Sequence, residues 1–193
     1  MILYHGRQTG GITQLEPRLA DHDRPYIYLS TSEVVAAFYL CNGVERPYYW
    51  FPYGYAKSKP GVPYYDEMYP NALQEVSEGV HGYLYSVEVS EEQTIPFPNN
   101  PGARLGTAPI PVKDCREVLN AYDLMREYKQ QGRLIVARFE DKSPEARERD
   151  YQMILNYIRR KEMYKTPDCS YAVFVKKKFP FVWEQYIAEF KNT

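Results

Sequence analysis

Between Tyr26 and Cys41 the chain passes from a strand to a helix with no room for a loop. Tyr26 to Leu29 is a strand-like run. Ser30-Thr31-Ser32-Glu33 follows at once with the pattern of a capping box, in which the Ser30 hydroxyl accepts from the amide of Glu33 and the Glu33 carboxylate reaches back. A helix to about Cys41 is expected. Val34, Ala37, Phe38 and Cys41 share one helical face, which fits packing on a sheet, and Val35 and Tyr39 fall on the flank of that face. A short strand feeding directly into such a helix calls for layers of mixed type, an α+β arrangement.

The remaining segments extend this pattern. Ile2 to Gly6 reads as a first strand, ended by a loop at Gly10-Gly11, because adjacent glycines favour positive φ. His81 to Val89 alternates as a strand does, Pro96 to Gly106 is turn-rich, and a short strand is expected from about Thr107 to Lys113. Asp114 with Glu117 reads as the cap of a helix over about 115–131, with Gly132 placed to end it and Arg133 to Phe139 extended. Ser143-Pro144 opens a helix to about Tyr164, stopped by Thr166-Pro167. Tyr171 to Phe179 fits helix or strand, and the aromatic stretch after Pro180 reads as helix. From Pro47 to Pro70, prolines interrupt a run of tyrosines and other aromatics, which predicts a long ordered loop. No repeat or shift of composition divides the chain, so one α+β domain over 1–193 is expected.

Charge balance narrows the function classes. Lys plus Arg total 24 against 25 for Asp plus Glu, so no global field draws the protein to nucleic acid or anionic lipid, and any such contact is local. The longest strongly apolar run, Val34 to Cys41, is far short of the roughly 20 residues that cross a bilayer. Met1 leads straight into the first strand without the features of a secretory signal, which points to the cytoplasm and away from a membrane. Cys41, Cys115 and Cys169 are odd in number and widely spaced, as buried free thiols are, and His5, His22 and His81 lack metal-ligand spacing, so no metal is expected. The 20 tyrosines suit a surface for planar or polar ligands, and they also fill cores.

Three motifs carry a resemblance: Leu3-Tyr4-His5-Gly6, Tyr28-Leu29-Ser30-Thr31 and Ala36-Ala37-Phe38-Tyr39. Together they resemble the opening of the ADP-ribosyltransferase fold, in the branch with a His, Tyr and Glu signature that includes diphtheria-toxin-like enzymes and poly(ADP-ribose) polymerases. Ten residues separate Tyr28 from Tyr39, matching that branch's paired tyrosines on a strand end and the following helix. The resemblance implies a split antiparallel sheet with flanking helices, an NAD-binding half over about 1–113 and a helical part over about 114–193. It implies that His5 bonds the ribose hydroxyls, that the Gly6 backbone holds the nicotinamide carboxamide and that Tyr28 and Tyr39 stack on the nicotinamide, with Ser30 beside Gly6 in binding the cofactor.

The implied activity is transfer of ADP-ribose from NAD to a macromolecule, protein or nucleic acid. In the family a late acid follows a motif resembling Gly82-Tyr83-Leu84-Tyr85-Ser86-Val87-Glu88-Val89. The matching place, Thr107 to Val112, holds no Glu, Asp or Gln. Glu88, Asp66 and Glu67 are candidate substitutes. Two alternatives stand beside the enzyme: a degenerate module that binds NAD or ADP-ribose, and a tyrosine-rich protein-interaction domain in which His5, Tyr28 and Tyr39 are ordinary core residues.

Overall fold

A computed structural model describes residues 1–19, 24–41, 53–55, 59–98 and 100–191. In chain order the elements are β1 (Ile2–Arg7), β2 (Gln14–Leu15), β3 (Ile27–Ser30), α1 (Glu33–Phe38), β4 (Tyr53–Tyr55), β5 (Pro63–Asp66), α2 (Ala72–Ser77) and β6 (Gly82–Glu88). There follow β7 (Thr94–Phe97), β8 (Asn100–Gly106), β9 (Ile110–Pro111), β10 (Asp114–Val118), α3 (Ala121–Gln130), β11 (Ile135–Ala137), α4 (Pro144–Arg160), α5 (Ser170–Lys178) and α6 (Pro180–Lys191). The chain is mixed α+β and forms two compact units, Met1–Cys41 with Ser77–Leu134, and Asn42–Val76 with Ile135–Thr193.

The first unit is built on a six-stranded sheet in the order β10-β6-β1-β3-β8-β7, antiparallel at every pairing. Leu3, Ile27, Leu29, Val87 and Val89 are buried in one cluster with Leu15 and Ile110 of the small β2–β9 ribbon. Alternation along the strands leaves Gly6 and Gly82 on the other side of the sheet, and there the helix α1 comes down. A Cβ on Gly6 would lie 2.0 Å from the Ala36 carbonyl oxygen, and one on Gly82 would lie 2.8 Å from a Leu40 methyl. Glycine at these two places is what admits the helix.

Several expectations change here. The helix cap is Ser32, whose hydroxyl accepts from the Val35 amide, and the helix stops at Phe38 rather than near Cys41. Glu33 does not close a capping box; Arg133 holds it at 2.7 Å. Asp114 is no helix cap, since Asp114–Val118 pairs with β6 and the helix begins after Asn120, whose side chain accepts from Tyr122. The strand expected over Thr107 to Lys113 shrinks to Ile110–Pro111, and the turn-rich stretch before it is largely β7 and β8. Gly132 does end the preceding helix, at φ +68°. Cys115 is exposed, and Cys41 and Cys169 are half-buried rather than buried.

In the second unit β11 pairs parallel with β5, which pairs antiparallel with β4. These strands replace part of the aromatic loop expected between Pro47 and Pro70; residues 47–52 and 56–58 of that region lie outside those described. Ser143 caps α4 by accepting from Ala146, with Pro144 in the first turn, as the sequence indicates. Tyr171 to Phe179 resolves to helix. Tyr69 packs edge-on against Phe174 and Phe179 at centroid distances of 5.9 and 6.1 Å. Among the described residues no helix is long and apolar enough to cross a membrane.

Candidate functional site

The strands β1 and β3 meet at one pair only, Tyr4 with Ser30. In an antiparallel strand each residue sends its N–H and C=O to the same side, and successive residues alternate. The Thr31 amide bonds Gly102 on the β8 side, so Ser30 and Tyr28 direct their backbone groups to β1. Met1 exchanges bonds with Val89 on the β6 side, so Tyr4 and Gly6 direct theirs to β3. Continued pairing would set Gly6 opposite Tyr28. Among the described residues no such pair forms, and the strands part there.

Two side groups border the opening. The His5 ring places Nδ1 2.9 Å from the Tyr28 carbonyl oxygen. Farther along, Arg18 and Tyr26 exchange two backbone hydrogen bonds of 3.0 Å. Tyr26 has the same parity as Tyr28, so Arg18 sits on the edge of β3 that faces β1. The loop between β1 and Arg18 is held from below by the buried Tyr85, whose hydroxyl donates to the Thr9 carbonyl at 2.8 Å and accepts from the Ile12 amide at 3.4 Å.

A carbonyl oxygen only accepts, so His5 carries its proton on Nδ1 and presents Nε2 as an acceptor when neutral. Burial pushes the His5 pKa below its ordinary value of 6.5; the bond to Tyr28 opposes this, and the charges of Arg7 and Arg18 add to it. The ring is therefore neutral at pH 7.

Of the residues singled out in the sequence, His5, Gly6 and Tyr28 gather at the parting of the strands. Tyr28 is half-buried. Tyr39 caps the C-terminus of α1 with 50% of its surface exposed, and its amide donates to the Ala36 carbonyl, the same group that overlies Gly6. Ser30 is buried and locally engaged: its hydroxyl donates to the Gly102 carbonyl at 3.3 Å and accepts from the Ser32 amide at 3.0 Å. Its side chain shapes the turn into α1.

Glu88, Glu33, Asp66 and Glu67 are each engaged by other groups. Glu88 pairs with Lys113 at 2.5 Å, opposite Ile2, and that lysine holds its carboxyl below the usual range. Glu33 is bound by Arg133 at 2.7 Å and Arg116 at 3.6 Å. Asp66 and Glu67 belong to the second unit, where Lys142 lies 2.7 Å from Asp66 and the buried Glu67 accepts from the amides of Leu73 and Phe139. Ala108, in the segment where the resemblance would place a late acid, lies on an exposed bend between β8 and β9.

Arg7 and Arg18 did not stand out in the sequence. The only local signal was a cation directly after Gly6; that Arg18 returns to the same gap is a matter of tertiary pairing. Comparison with protein-family models, with curated proteins and with solved structures finds no match for this chain.

Proposed function

We propose that the first unit is an NAD-binding module of ADP-ribosyltransferase type, with the nicotinamide end of NAD at the parted edge of β1 and β3. The observation that carries this is the open edge at Gly6, where an amide and a carbonyl point toward β3 without a partner strand residue opposite. A planar carboxamide carries an NH₂ group with two donors and a carbonyl acceptor, which can match them. His5 Nε2 accepts from a ribose hydroxyl, and the rings of Tyr28 and Tyr39 supply stacking faces.

Cleavage of the bond between nicotinamide and ribose develops positive charge on the sugar, and a carboxylate beside it lowers the barrier. The engagement of Glu33, Glu88, Asp66 and Glu67 favours a second reading of the same site, a module that binds NAD or ADP-ribose with little turnover and acts on its macromolecular target through binding. Calorimetric titration of the whole chain with NAD, ADP-ribose and nicotinamide tests the site, with labelled NAD in a cell lysate testing transfer. Heat with NAD and nicotinamide is expected. Absence of heat with all three at millimolar concentration removes the proposal, and label transfer to a macromolecule selects the enzyme over the binding module.

A further inference from the structure

Arg7 and Arg18 stand on opposite banks of the gap, Arg7 next to Gly6 on β1 and Arg18 bonded through its backbone to the β1-facing edge of β3. Among the described residues neither guanidinium has a hydrogen-bond or ion-pair partner. Among the other arginines of the same unit, Arg104 donates to Thr94 and to the Glu91 carbonyl, Arg116 and Arg133 share Glu33, and Arg126 pairs with Asp123, while the exposed Arg24 has no such partner among the described residues. The two at the gap instead act on each other and on His5 as like charges. Two like charges set near one another, with no carboxylate paired to either among the described residues, raise the energy of the site, and an anion placed there relieves it.

The kind of anion follows from the donors. A guanidinium presents a rigid planar fork of N–H groups that matches two oxygens of a phosphoryl group, and charge-assisted pairs of this kind are the stronger hydrogen bonds. Two forks on opposite banks match two linked phosphoryl groups. We propose that Arg7 and Arg18 form a binding site for the diphosphate group of a nucleotide in the gap between β1 and β3. The two arginines suffice for this site, which does not depend on nicotinamide being held at Gly6.

The experiment is calorimetric titration of the whole chain at low ionic strength with pyrophosphate, ADP and adenosine. Pyrophosphate and ADP bind and adenosine alone does not. Arg18→Gln keeps the fold, because the exposed Arg18 contributes its backbone to the Tyr26 pair, and it weakens pyrophosphate binding by roughly tenfold to a hundredfold, as loss of a hydrogen-bonded charge does. Arg18→Glu abolishes it. The His5 ring resonances shift on adding pyrophosphate to the parent protein and stay in place in Arg18→Glu. No heat with pyrophosphate, or an affinity unchanged in a folded Arg18→Glu protein, overturns the proposal. Nicotinamide separates it from the NAD assignment: pyrophosphate binding without nicotinamide binding keeps the diphosphate site and removes the nicotinamide site, and the converse removes the diphosphate site alone.

Discussion

The His5 ring donates from Nδ1 to the Tyr28 carbonyl across 2.9 Å, at the level where β1 and β3 have ceased to pair. One side chain thereby satisfies a backbone acceptor that strand separation would leave open. The bond also fixes the tautomer, so the same histidine is both a structural tie across the opening and a neutral acceptor at its rim. Only the acceptor role requires the uncharged ring, because Nδ1 donates to Tyr28 in either state, while burial and the charges of Arg7 and Arg18 oppose protonation.

A pH dependence follows. With the folded pKa of His5 depressed, the unfolded chain binds more protons than the folded one below about 6.5. The contribution of neutral His5 is fully present above that value and is lost as the pH falls from it toward the depressed folded pKa. Thermal denaturation of the parent protein and His5→Gln between pH 5 and 8 checks this, at about those bounds where histidine titrates. The parent is expected to lose more of its stability on acidification than the variant; parallel curves would assign the loss to other groups.

Gly6 is expected to be intolerant of any side chain for reasons of packing. A Cβ at 2.0 Å from the Ala36 oxygen forces α1 off the sheet, at a cost of about 1–3 kcal/mol or more for such overpacking. Gly11 is a control of another sort: it has φ +72° and open space around its Cβ position, so Gly11→Ala costs about 1 kcal/mol through the backbone alone. Urea denaturation of the two variants should rank them in that order, and equal small losses would mean that the helix yields easily.

Local signals were legible where they acted alone. Ser143-Pro144 opens α4 and Gly132 ends α3 because a hydroxyl cap, a preset φ and a left-handed residue need nothing from the rest of the chain. The run Ser30-Thr31-Ser32-Glu33 holds two serines able to cap α1, and the choice of Ser32 is made elsewhere. Arg133 draws Glu33 away, and the Gly102 carbonyl takes the Ser30 hydroxyl. The strand Asp114–Val118 was invisible for a related reason. It is an edge strand, exposed over its first four residues, and carries the charges that discourage pairing by other chains, so it has no apolar alternation to read. For the candidate site, the sequence shows His5-Gly6 and the two tyrosines, and it cannot show that β1 and β3 part after one pair or that Arg18 returns to the gap.

Lys142 in the second unit gives a stability prediction independent of any ligand. Its side chain is 9% exposed and lies 2.7 Å from Asp66 and 2.5 Å from Asp150. Lys142→Met leaves two carboxylates facing an apolar chain, and breaking a buried ion pair from one side costs about 3–5 kcal/mol. Chemical denaturation of Lys142→Met measures it. A loss below about 1 kcal/mol would place this lysine among the weak exposed pairs.

Tyr39 separates binding from folding. Because half of it is exposed at the end of α1, Tyr39→Ala is expected to cost the fold far less than the roughly 3–5 kcal/mol of a truncated core aromatic. Loss of a stacking face should lower NAD affinity by about 1–3 kcal/mol, by analogy with bases stacked on aromatic side chains. Calorimetry with NAD and a denaturation curve on the same preparation decide between the roles. Unfolding without a selective loss of affinity would make Tyr39 a packing residue.

Turnover is expected to be weak even where binding is measurable. The contacts assigned to nicotinamide and ribose use a backbone edge, one neutral histidine and two rings, and none of these answers the positive charge that develops on the sugar. Glu88, the acid on β6, lies opposite Ile2 and is occupied by Lys113, while Glu33 is occupied by two arginines. Removing a well-placed electrostatic stabiliser costs about a hundredfold to a thousandfold in rate, which is the deficit expected relative to an enzyme with its carboxylate in place. Nicotinamide release from saturating NAD, followed beside calorimetric binding in the parent protein and in Glu33→Gln and Glu88→Gln, tests this. The expected result is binding in all three with release near the uncatalysed background. Vigorous release that disappears in Glu88→Gln or Glu33→Gln, with binding retained, would show that this carboxylate leaves its partner to serve the ribose.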